Sequence, residues 1–317
     1  MRNIAGSGPI GSEEVSSMEN LSPSKINYYL KTKSLGQKMI IFATVDSTNS
    51  EGKRRSAEEA EGTVLLSEVQ TAGRGRLGRH WFSPGGKGIW LSVILKPELP
   101  APKVPSLTSV AAAAVCLALE QVLPSQAERI QLKWPNDILL NGRKIGGILT
   151  EMQVSSAKVQ AVILGIGLNV NLQPEDFPEE IRDLASSIYL ETGQILAREQ
   201  IIAFILNHLE QLYFKFLQQD LSETLAVCRR KSAVLGRKIF LIDRSERSVN
   251  NKKLADNEKL PNSGELTGSA NPSGQTLGGQ IREAEAVDLG PNGELLVRYE
   301  NGEEAFIISG EISLRMQ

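Results

Sequence analysis

Runs of apolar residues divide much of the chain into predicted helices and strands. Leu107–Leu123 is apolar and rich in alanine, and it predicts a buried core helix rather than a membrane span. Apolar residues at roughly helical spacing predict a second helix at Ala197–Gln218. β-branched and aliphatic runs bounded by Gly, Pro or Asn predict six strands, at Thr63–Val69, Ile89–Leu95, Ile130–Trp134, Asp137–Leu140, Ile145–Met152 and Val159–Val170.

The connection between two of these strands predicts how they pair. Asn141-Gly142 separates Asp137–Leu140 from Ile145–Met152. An Asn-Gly pair favours a type I′ turn, because both central residues of that turn need a positive φ. The two strands are therefore predicted to form an antiparallel hairpin, and clustered hairpins argue against an all-parallel sheet.

The pattern changes near Leu235, where a second domain is predicted. Gly236–Asp243 predicts a short strand, and the polar stretch Val249–Gly279 predicts a long disordered loop, which we expect to be a tolerated surface insertion. Four further short strands, separated by turn residues, suit a small barrel and lie at Glu285–Leu289, Glu294–Tyr299, Ala305–Ser309 and Ile312–Arg315.

Composition limits the classes of function. The 317 residues, 41% of them hydrophobic, can bury a core and suggest two domains. A formal charge of −2 gives no global reason to expect binding to nucleic acid or to an acidic membrane. Two separated cysteines and two histidines make a Cys/His zinc site implausible. Met1–Asn20 lacks the apolar run of a signal peptide, so we expect a flexible tail on a cytoplasmic protein.

The most specific local motif is the glycine loop, Gly73–Gly78, which has the G-x-G-x-x-G spacing of a dinucleotide-binding loop. That fold needs an α-helix directly after the loop, to place its N-terminus at the pyrophosphate. Pro84 and Gly85-Gly86 follow instead and cannot start such a helix. A solvated basic turn or a nucleic-acid contact is the simplest alternative for an isolated Gly/Arg run.

Other motifs surround the glycine loop in a specific order. They are Asp46-Ser47-Thr48-Asn49, Gln70-Thr71-Ala72 before the loop and Arg79-His80-Trp81-Phe82-Ser83-Pro84 after it, Lys133-Trp134-Pro135-Asn136-Asp137, Arg143-Lys144-Ile145-Gly146-Gly147-Ile148-Leu149, Gly165-x-Gly167-x-Asn169 and Ser309-Gly310-Glu311-Ile312-Ser313-Leu314-Arg315. No single element is decisive, but the ordered set resembles biotin–protein ligases. The resemblance runs from about Leu30 to Gln317.

The resemblance implies an α+β fold. Its mixed, largely antiparallel sheet is flanked by helices, as in the catalytic domain of class II aminoacyl-tRNA synthetases, and a small SH3-like β-barrel follows it. We expect a disordered tail at 1–24, a biotin- and ATP-binding catalytic domain at 25–232, and the barrel at 233–317 with a disordered insertion at about 249–279.

The resemblance also implies a two-step reaction that uses biotin and ATP as substrates, with Mg²⁺. The biotin carboxylate attacks ATP to give biotinyl-5′-AMP, and a lysine of the biotin carboxyl carrier protein of acetyl-CoA carboxylase then takes the biotinyl group. A lipoate- or octanoate-protein ligase or transferase of the same fold is the alternative. A non-catalytic nucleotide or nucleic-acid binder is a third class.

Attack of one anion on another needs positioned cations more than a protein nucleophile, and this predicts catalytic roles for Lys144, Arg76, Arg74 and Lys133. The resemblance assigns biotin contacts to Ser47, Thr48, Asn49, Gln70, Gly73, Arg74, Gly75, Arg76, Lys144, Gly147 and Gly165. It assigns nucleotide contacts to Arg74, Trp81, Lys133, Asn136, Asp137, Asn169 and Arg315, and no protein ligands to a metal. The glycine loop is expected to close over the ligand.

Several of these residues also have a purely structural explanation. Asp46–Asn49 alone is typical of a turn or a helix N-cap, and Trp134 is expected in the core. Asp137 could aid Mg²⁺ binding or orient Lys133, and the paired glycines could mark a strand bulge or close approach to a ligand. His80 and His208 are given no role.

One departure from the family pattern concerns the N-terminus. Bifunctional members carry a winged helix-turn-helix before the catalytic domain, but only forty-five residues precede Asp46 here. We therefore expect a monofunctional ligase that binds no DNA and no membrane. A homodimer formed through the sheet edge is possible by analogy.

Overall fold

The computed structural model describes residues 20–156, 158–243, 280–308 and 310–314. The helices are α1 Pro23–Tyr29, α2 Thr48–Arg55, α3 Ser106–Val122, α4 Ile188–Thr192, α5 Arg198–Leu217 and α6 Ser222–Arg230. The strands are β1 Met39–Val45, β2 Val64–Gln70, β3 Gly88–Leu95, β4 Ile130–Lys133, β5 Asp137–Leu140, β6 Arg143–Ser155, β7 Lys158–Asn169, β8 Lys238–Asp243, β9 Gln280–Leu289, β10 Leu295–Tyr299, β11 Glu304–Ile307 and β12 Glu311–Leu314.

Seven strands form a large mixed sheet in the order β1-β2-β3-β7-β6-β5-β4. Only the β1–β2 pair is parallel among these pairings, and the others are antiparallel. The β5–β6 hairpin turns at Asn141 and Gly142, whose φ angles are 52° and 79°. Both are positive, as a type I′ turn requires, so the predicted hairpin is confirmed.

Helices cover both faces of the large sheet. Successive strand residues point to opposite sides, so the strands contribute apolar residues to both faces. Val64 and Leu66 belong to the main core with α3 and α5, whereas Leu65 between them packs on the other face. Helix α2 lies over β2, β3 and β7 on that second face. There a Cβ on Gly52 would lie 2.8 Å from Ile163, so the helix approaches the strands closely. The predicted mixed α+β architecture is confirmed.

Ala101–Val122, which comprises α3 and the turn before it, is the one helix in the described part of the chain long and apolar enough to cross a membrane. That assessment rests on length and composition only. Most of its side chains are buried within the protein, and α3 packs against α5 and α6. The predicted core helix at Leu107–Leu123 is confirmed.

The second sheet contains five antiparallel strands in the order β11-β10-β9-β8-β12. In residues 238–243, 280–308 and 310–314, β11 and β12 lie at opposite edges and do not pair with each other. The sheet is therefore open there, and a closed SH3-like barrel stays a prediction, as do the domain boundaries. The predicted loop at Val249–Gly279 lies outside the described residues.

The predicted N-terminal tail needs one correction. Residues 1–19 lie outside the described part, but residues 20–24 do not continue a tail. Leu21 is buried, and its backbone N–H donates to Glu68 Oε1 at 2.5 Å. Helix α1 begins at Pro23 and buries Ile26 completely, because its apolar face packs on α5.

Candidate functional site

A cavity of about 160 Å³ lies on the α2 side of the large sheet. It is bordered by the start of α2, the segment after β2, the β5–β6 hairpin, β7 and part of the second sheet. Its lining contains fourteen of the residues predicted from the sequence: Ser47, Thr48, Asn49, Gln70, Arg74, Gly75, Arg76, Trp81, Lys133, Asn136, Asp137, Lys144, Gly147 and Gly165.

One side of the cavity is a polar floor, formed by Ser47, Thr48, Asn49 and Gln70 and supported from outside the lining by Ser92. Ser47 is the N-cap of α2 and accepts from Ser50 N–H at 3.5 Å. It therefore has the predicted structural role and also lines the cavity. The Thr48 N–H donates to Gln70 Oε1 at 2.8 Å. The Ser92 hydroxyl lies 2.8 Å from Thr48 Oγ1 and 2.7 Å from Asn49 Oδ1.

The floor residues are buried, apart from the half-buried Gln70, and they fix one another's positions. Thr48 and Asn49 are 3% and 4% exposed. Gln70 Nε2 donates to Ser83 Oγ at 2.8 Å, which ties the floor to the segment after the glycine loop. Buried amide and hydroxyl groups that are already hydrogen-bonded offer a ligand both donors and acceptors in fixed places.

The glycines of β6 and β7 allow side chains to approach the strands closely. A Cβ on Gly165 would lie 2.1 Å from Asn49 Oδ1, and one on Gly167 would lie 2.7 Å from Trp81 Nε1. A Cβ on Gly147 would lie 3.3 Å from the Trp81 ring. Close approach of the Asn49 and Trp81 side chains thus accounts for these glycines, and close approach to a ligand stays a prediction. The Trp81 indole Nε1 is buried and has no hydrogen-bond partner among the described residues.

Cations line the other side of the cavity. Lys144 Nζ lies 2.7 Å from Asp137 Oδ1 and 5.4 Å from the centre of the Trp81 ring. Arg76 donates from Nη1 to Asn136 Oδ1 at 2.9 Å and from Nη2 to the Gly310 carbonyl at 3.4 Å. Asp137 therefore pairs with Lys144, and its strand position is opposite that of Lys133. This clustering of positive charge suits an anionic ligand.

Arg74 is paired with a carboxylate that was not predicted. Its Nη2 lies 3.0 Å from Glu151 Oε1 on β6. Burial acts to raise the pKa of Glu151, but hydrogen bonds from Lys53 and Asn49, with the charge of Arg74, hold that pKa below its usual range. Glu151 is therefore ionised at neutral pH.

Three predicted site residues are not in the described lining. Gly73 lies in a tight part of the loop, where a Cβ would be 2.2 Å from the Trp81 carbonyl. Asn169 is buried outside the cavity and donates from Nδ2 to the Ser186 carbonyl at 2.9 Å. Asn169 is the last residue of β7, and this hydrogen bond joins it to the residue before the N-cap of helix α4. Arg315 lies outside the described residues.

The cavity lining also contains residues that were not predicted to contact a ligand. His80, to which no role was given, lines the cavity, as do Leu77, Arg79, Trp90, Leu91, Trp134, Pro135, Ile148, Leu149, Ile166, Gly167, Gly310 and Ile312. Trp134 is 6% exposed, which confirms the predicted core position, and its Nε1 donates to the Gly293 carbonyl. Gly310 and Ile312 show that the second sheet contributes to the cavity.

The glycine loop does not begin a nucleotide-binding helix. Its residues Arg76–Gly78 form a single 3₁₀ turn, and Gly75 N–H donates to the Arg79 carbonyl at 2.8 Å. The next element is strand β3, so exclusion of the dinucleotide-binding fold is confirmed. Leu77, with φ 58°, is 59% exposed at the tip.

The sequence of the cavity region matches a known family. Residues 40–169 match the biotin/lipoate A/B protein ligase family. The bifunctional ligase/repressor BirA of Bacillus subtilis is 43% identical over 198 residues, and the match covers 62% of this chain and 60% of that protein's length. The biotin–[acetyl-CoA-carboxylase] ligase of Mycobacterium tuberculosis is 32% identical over 203 residues, covering 63% of this chain and 72% of the relative.

Solved structures share the fold. A mutant biotin protein ligase from Aquifex aeolicus in complex with biotin aligns with a TM-score of 0.67 and 28% identity, covering 89% of this chain and 99% of that one. The Aquifex aeolicus ligase in complex with biotin and ATP aligns with a TM-score of 0.65 and 29% identity, covering 89% and 100%. With the ordered motifs gathered around one cavity, these similarities show that the chain belongs to the biotin/lipoate A/B protein ligase family, where it resembles the biotin protein ligases.

Proposed function

We propose that the protein uses ATP to attach biotin to a lysine of a biotin carboxyl carrier protein, through biotinyl-5′-AMP. The carrier would be that of acetyl-CoA carboxylase, the enzyme in the name of the Mycobacterium tuberculosis relative. Biotin and ATP are bound together in the Aquifex aeolicus ligase of similar fold. The observation that carries the proposal is a single cavity in which a buried neutral polar floor adjoins several cations.

The polar floor suits the ureido ring of biotin. That ring has two N–H donors and one carbonyl acceptor, and it carries no charge. The hydroxyls of Ser47 and Thr48 and the amides of Asn49 and Gln70 provide both kinds of partner. Because these groups are held by one another before binding, little ordering is needed when the ring enters.

The cations suit the first chemical step. The biotin carboxylate attacks the α-phosphorus of ATP, and the bond to the departing pyrophosphate oxygen breaks. Both reactants are anionic, so Lys144, Arg74 and Arg76 would reduce their repulsion and stabilise charge on the phosphate. Lys133 and Asn136 would contact the nucleotide side of the cavity, and Trp81 would lie near the adenine.

In the second step the neutral amine of the carrier lysine attacks the acyl carbon of biotinyl-5′-AMP, AMP leaves with the electrons of the broken bond, and the nitrogen releases one proton to solvent as the amide forms. The mixed anhydride is also open to attack by water. The glycine loop and Trp81 would limit that side reaction by covering the bound adenylate until the carrier arrives.

Mg²⁺ would arrive with the nucleotide. This ion usually keeps several waters and takes only one or two protein carboxylates in addition to substrate phosphates. Among the described residues, no group of three or more His, Cys, Asp and Glu side chains could form a metal cage. Asp137 supplies a carboxylate in the described lining, which fits a nucleotide-borne ion better than a resident one.

Lipoate or octanoate is the second candidate substrate, because the matched family includes lipoate ligases by name. Biotin-dependent exchange of pyrophosphate into ATP separates the two. We expect exchange with biotin and none above background with lipoate or octanoate. Exchange with lipoate alone would overturn the choice of substrate.

Transfer is tested separately with a purified biotin carboxyl carrier domain. We expect one biotin per carrier, at its acceptor lysine, detected by mass spectrometry. A carrier with that lysine changed to arginine is the control. Exchange without transfer would restrict the proposal to adenylate formation.

A further inference from the structure

Glu151 joins three elements around the cavity. It lies on β6, and its side chain is 16% exposed. Its Oε1 accepts from Lys53 Nζ at 2.7 Å and from Arg74 Nη2 at 3.0 Å, and its Oε2 accepts from Asn49 Nδ2 at 3.1 Å. The carboxylate therefore connects the sheet and helix α2 to the glycine loop.

The three partners of Glu151 are not held equally. Asn49 is 4% exposed and also donates to the Leu149 carbonyl at 3.2 Å, so the structure fixes it firmly. Lys53 lies on the same helix, with its side chain 30% exposed. Arg74 lies on a loop, and its side chain is 48% exposed. Helix α2 thus anchors the carboxylate, and Arg74 is the partner that can leave most easily.

The chemistry of the proposed ligand makes that exchange possible. A guanidinium binds a carboxylate or a phosphate by the same forked geometry, so an acyl-adenylate phosphate can compete with Glu151 for Arg74. An ion pair with one half-exposed partner is weak and is screened by salt. A bound phosphate in a cavity lined by other cations can therefore displace it.

We propose that Glu151 is a positioning residue for the glycine loop, which holds Arg74 in the ligand-free protein and releases it to the anionic acyl-adenylate. This inference rests on the proposed function for the identity of the anion. It makes Arg74 a shared group, with one acceptor on β6 and a second on the ligand. The loop is then held in both states, by different partners.

Limited trypsin digestion tests this positioning role, because cleavage after Arg74, Arg76 or Arg79 reports how freely the loop moves. In ligand-free Glu151→Gln protein we expect loop cleavage about three- to fivefold faster than in wild type. Lys53→Met, which removes another partner of the same carboxylate, should leave loop cleavage within about twofold of wild type. With a non-hydrolysable biotinyl-adenylate analogue bound, wild type and Glu151→Gln should be protected equally.

Equal loop cleavage of ligand-free wild type and Glu151→Gln would overturn the proposal. Faster cleavage that persists with the analogue bound would show that Glu151 acts structurally in both states, which also overturns it. If Glu151→Gln does not fold, wild type is digested at low and high salt, where acceleration by salt is expected and its absence contradicts the ion pair. The ligand-free digestion needs no substrate, so failure of the analogue to protect wild type would count against the proposed function instead.

Discussion

The polar floor and the glycine loop border the same cavity but differ in how the protein holds them. Thr48 of the floor is 3% exposed and hydrogen-bonded to its neighbours, whereas Leu77 at the loop tip is 59% exposed. The floor is neutral, and the loop carries Arg74 and Arg76. Under the proposed function, ligand recognition would be built into the sheet and α2 beforehand, while charge compensation and retention would depend on a more exposed loop that changes partners when the ligand binds.

Lys144 marks the boundary between the two regions, and its removal should have the largest effect. Lys144→Ala removes a cation held on rigid β6 beside Asp137, so we expect biotin-dependent ATP–pyrophosphate exchange to fall by about a thousandfold. The melting temperature should stay close to that of wild type. Lys158→Ala, an exposed lysine at the start of β7, is the matched control. Near-normal exchange by Lys144→Ala would remove this residue from the mechanism.

A change in the rigid region should affect biotin binding more than retention. A methyl group at Gly165 would lie 2.1 Å from Asn49 Oδ1 and would displace the floor. Overpacking of about 1–3 kcal/mol predicts that Gly165→Ala raises the KM for biotin about 5- to 150-fold. Steady-state exchange at varied biotin concentration measures this. An unchanged KM would mean that the floor does not contact biotin.

A change in the loop should affect retention more than biotin binding. Arg76→Gly removes the hydrogen bonds to Asn136 and Gly310 that join the loop to the cavity wall. We expect about tenfold more biotin on bystander proteins when the variant is incubated with biotin, ATP and serum albumin. Streptavidin blotting reports this labelling, and labelling no higher than that of wild type would argue against a lid.

The smallest expected effect concerns Trp81. Its ring packs over Gly147 and Gly167, but its Nε1 has no hydrogen-bond partner among the described residues. Trp81→Phe keeps an aromatic face, so the KM for ATP should change by less than about threefold. A rise of the KM for ATP above about tenfold would show that the indole N–H binds the nucleotide. It would also give the loop region a role in recognition.

The sequence predicted the rigid region better than the contacts of the loop. Periodicity and Asn141-Gly142 were sufficient for six strands of the large sheet and for the hairpin, because those signals are local, but strand β1 was not predicted. The resemblance brought together most residues of the cavity lining. It placed Asn169 with the ligand, whereas the structure binds that amide to the Ser186 carbonyl.

The residues that the sequence did not reveal depend on long-range contacts. Glu151 stands in a strand, where an acidic residue is an ordinary surface feature, and its partner Arg74 is 77 positions away. Ser92 reads as one small residue within an apolar strand, yet it bridges Thr48 and Asn49. Gly310 belongs to one of the motifs, but its place beside Arg76 in the cavity depends on how the second sheet packs. Local patterns carry no information about such pairings.

The most direct test of the division between the polar floor and the glycine loop is the rate at which biotinyl-5′-AMP, formed from biotin and ATP, leaves wild type and two variants. We predict release at least about tenfold faster from Arg76→Gly than from wild type, with the KM for biotin nearly unchanged. We predict the reverse for Gly165→Ala, whose main change is the higher KM. If both variants change release and KM in the same proportion, the division between a recognising floor and a retaining loop is wrong.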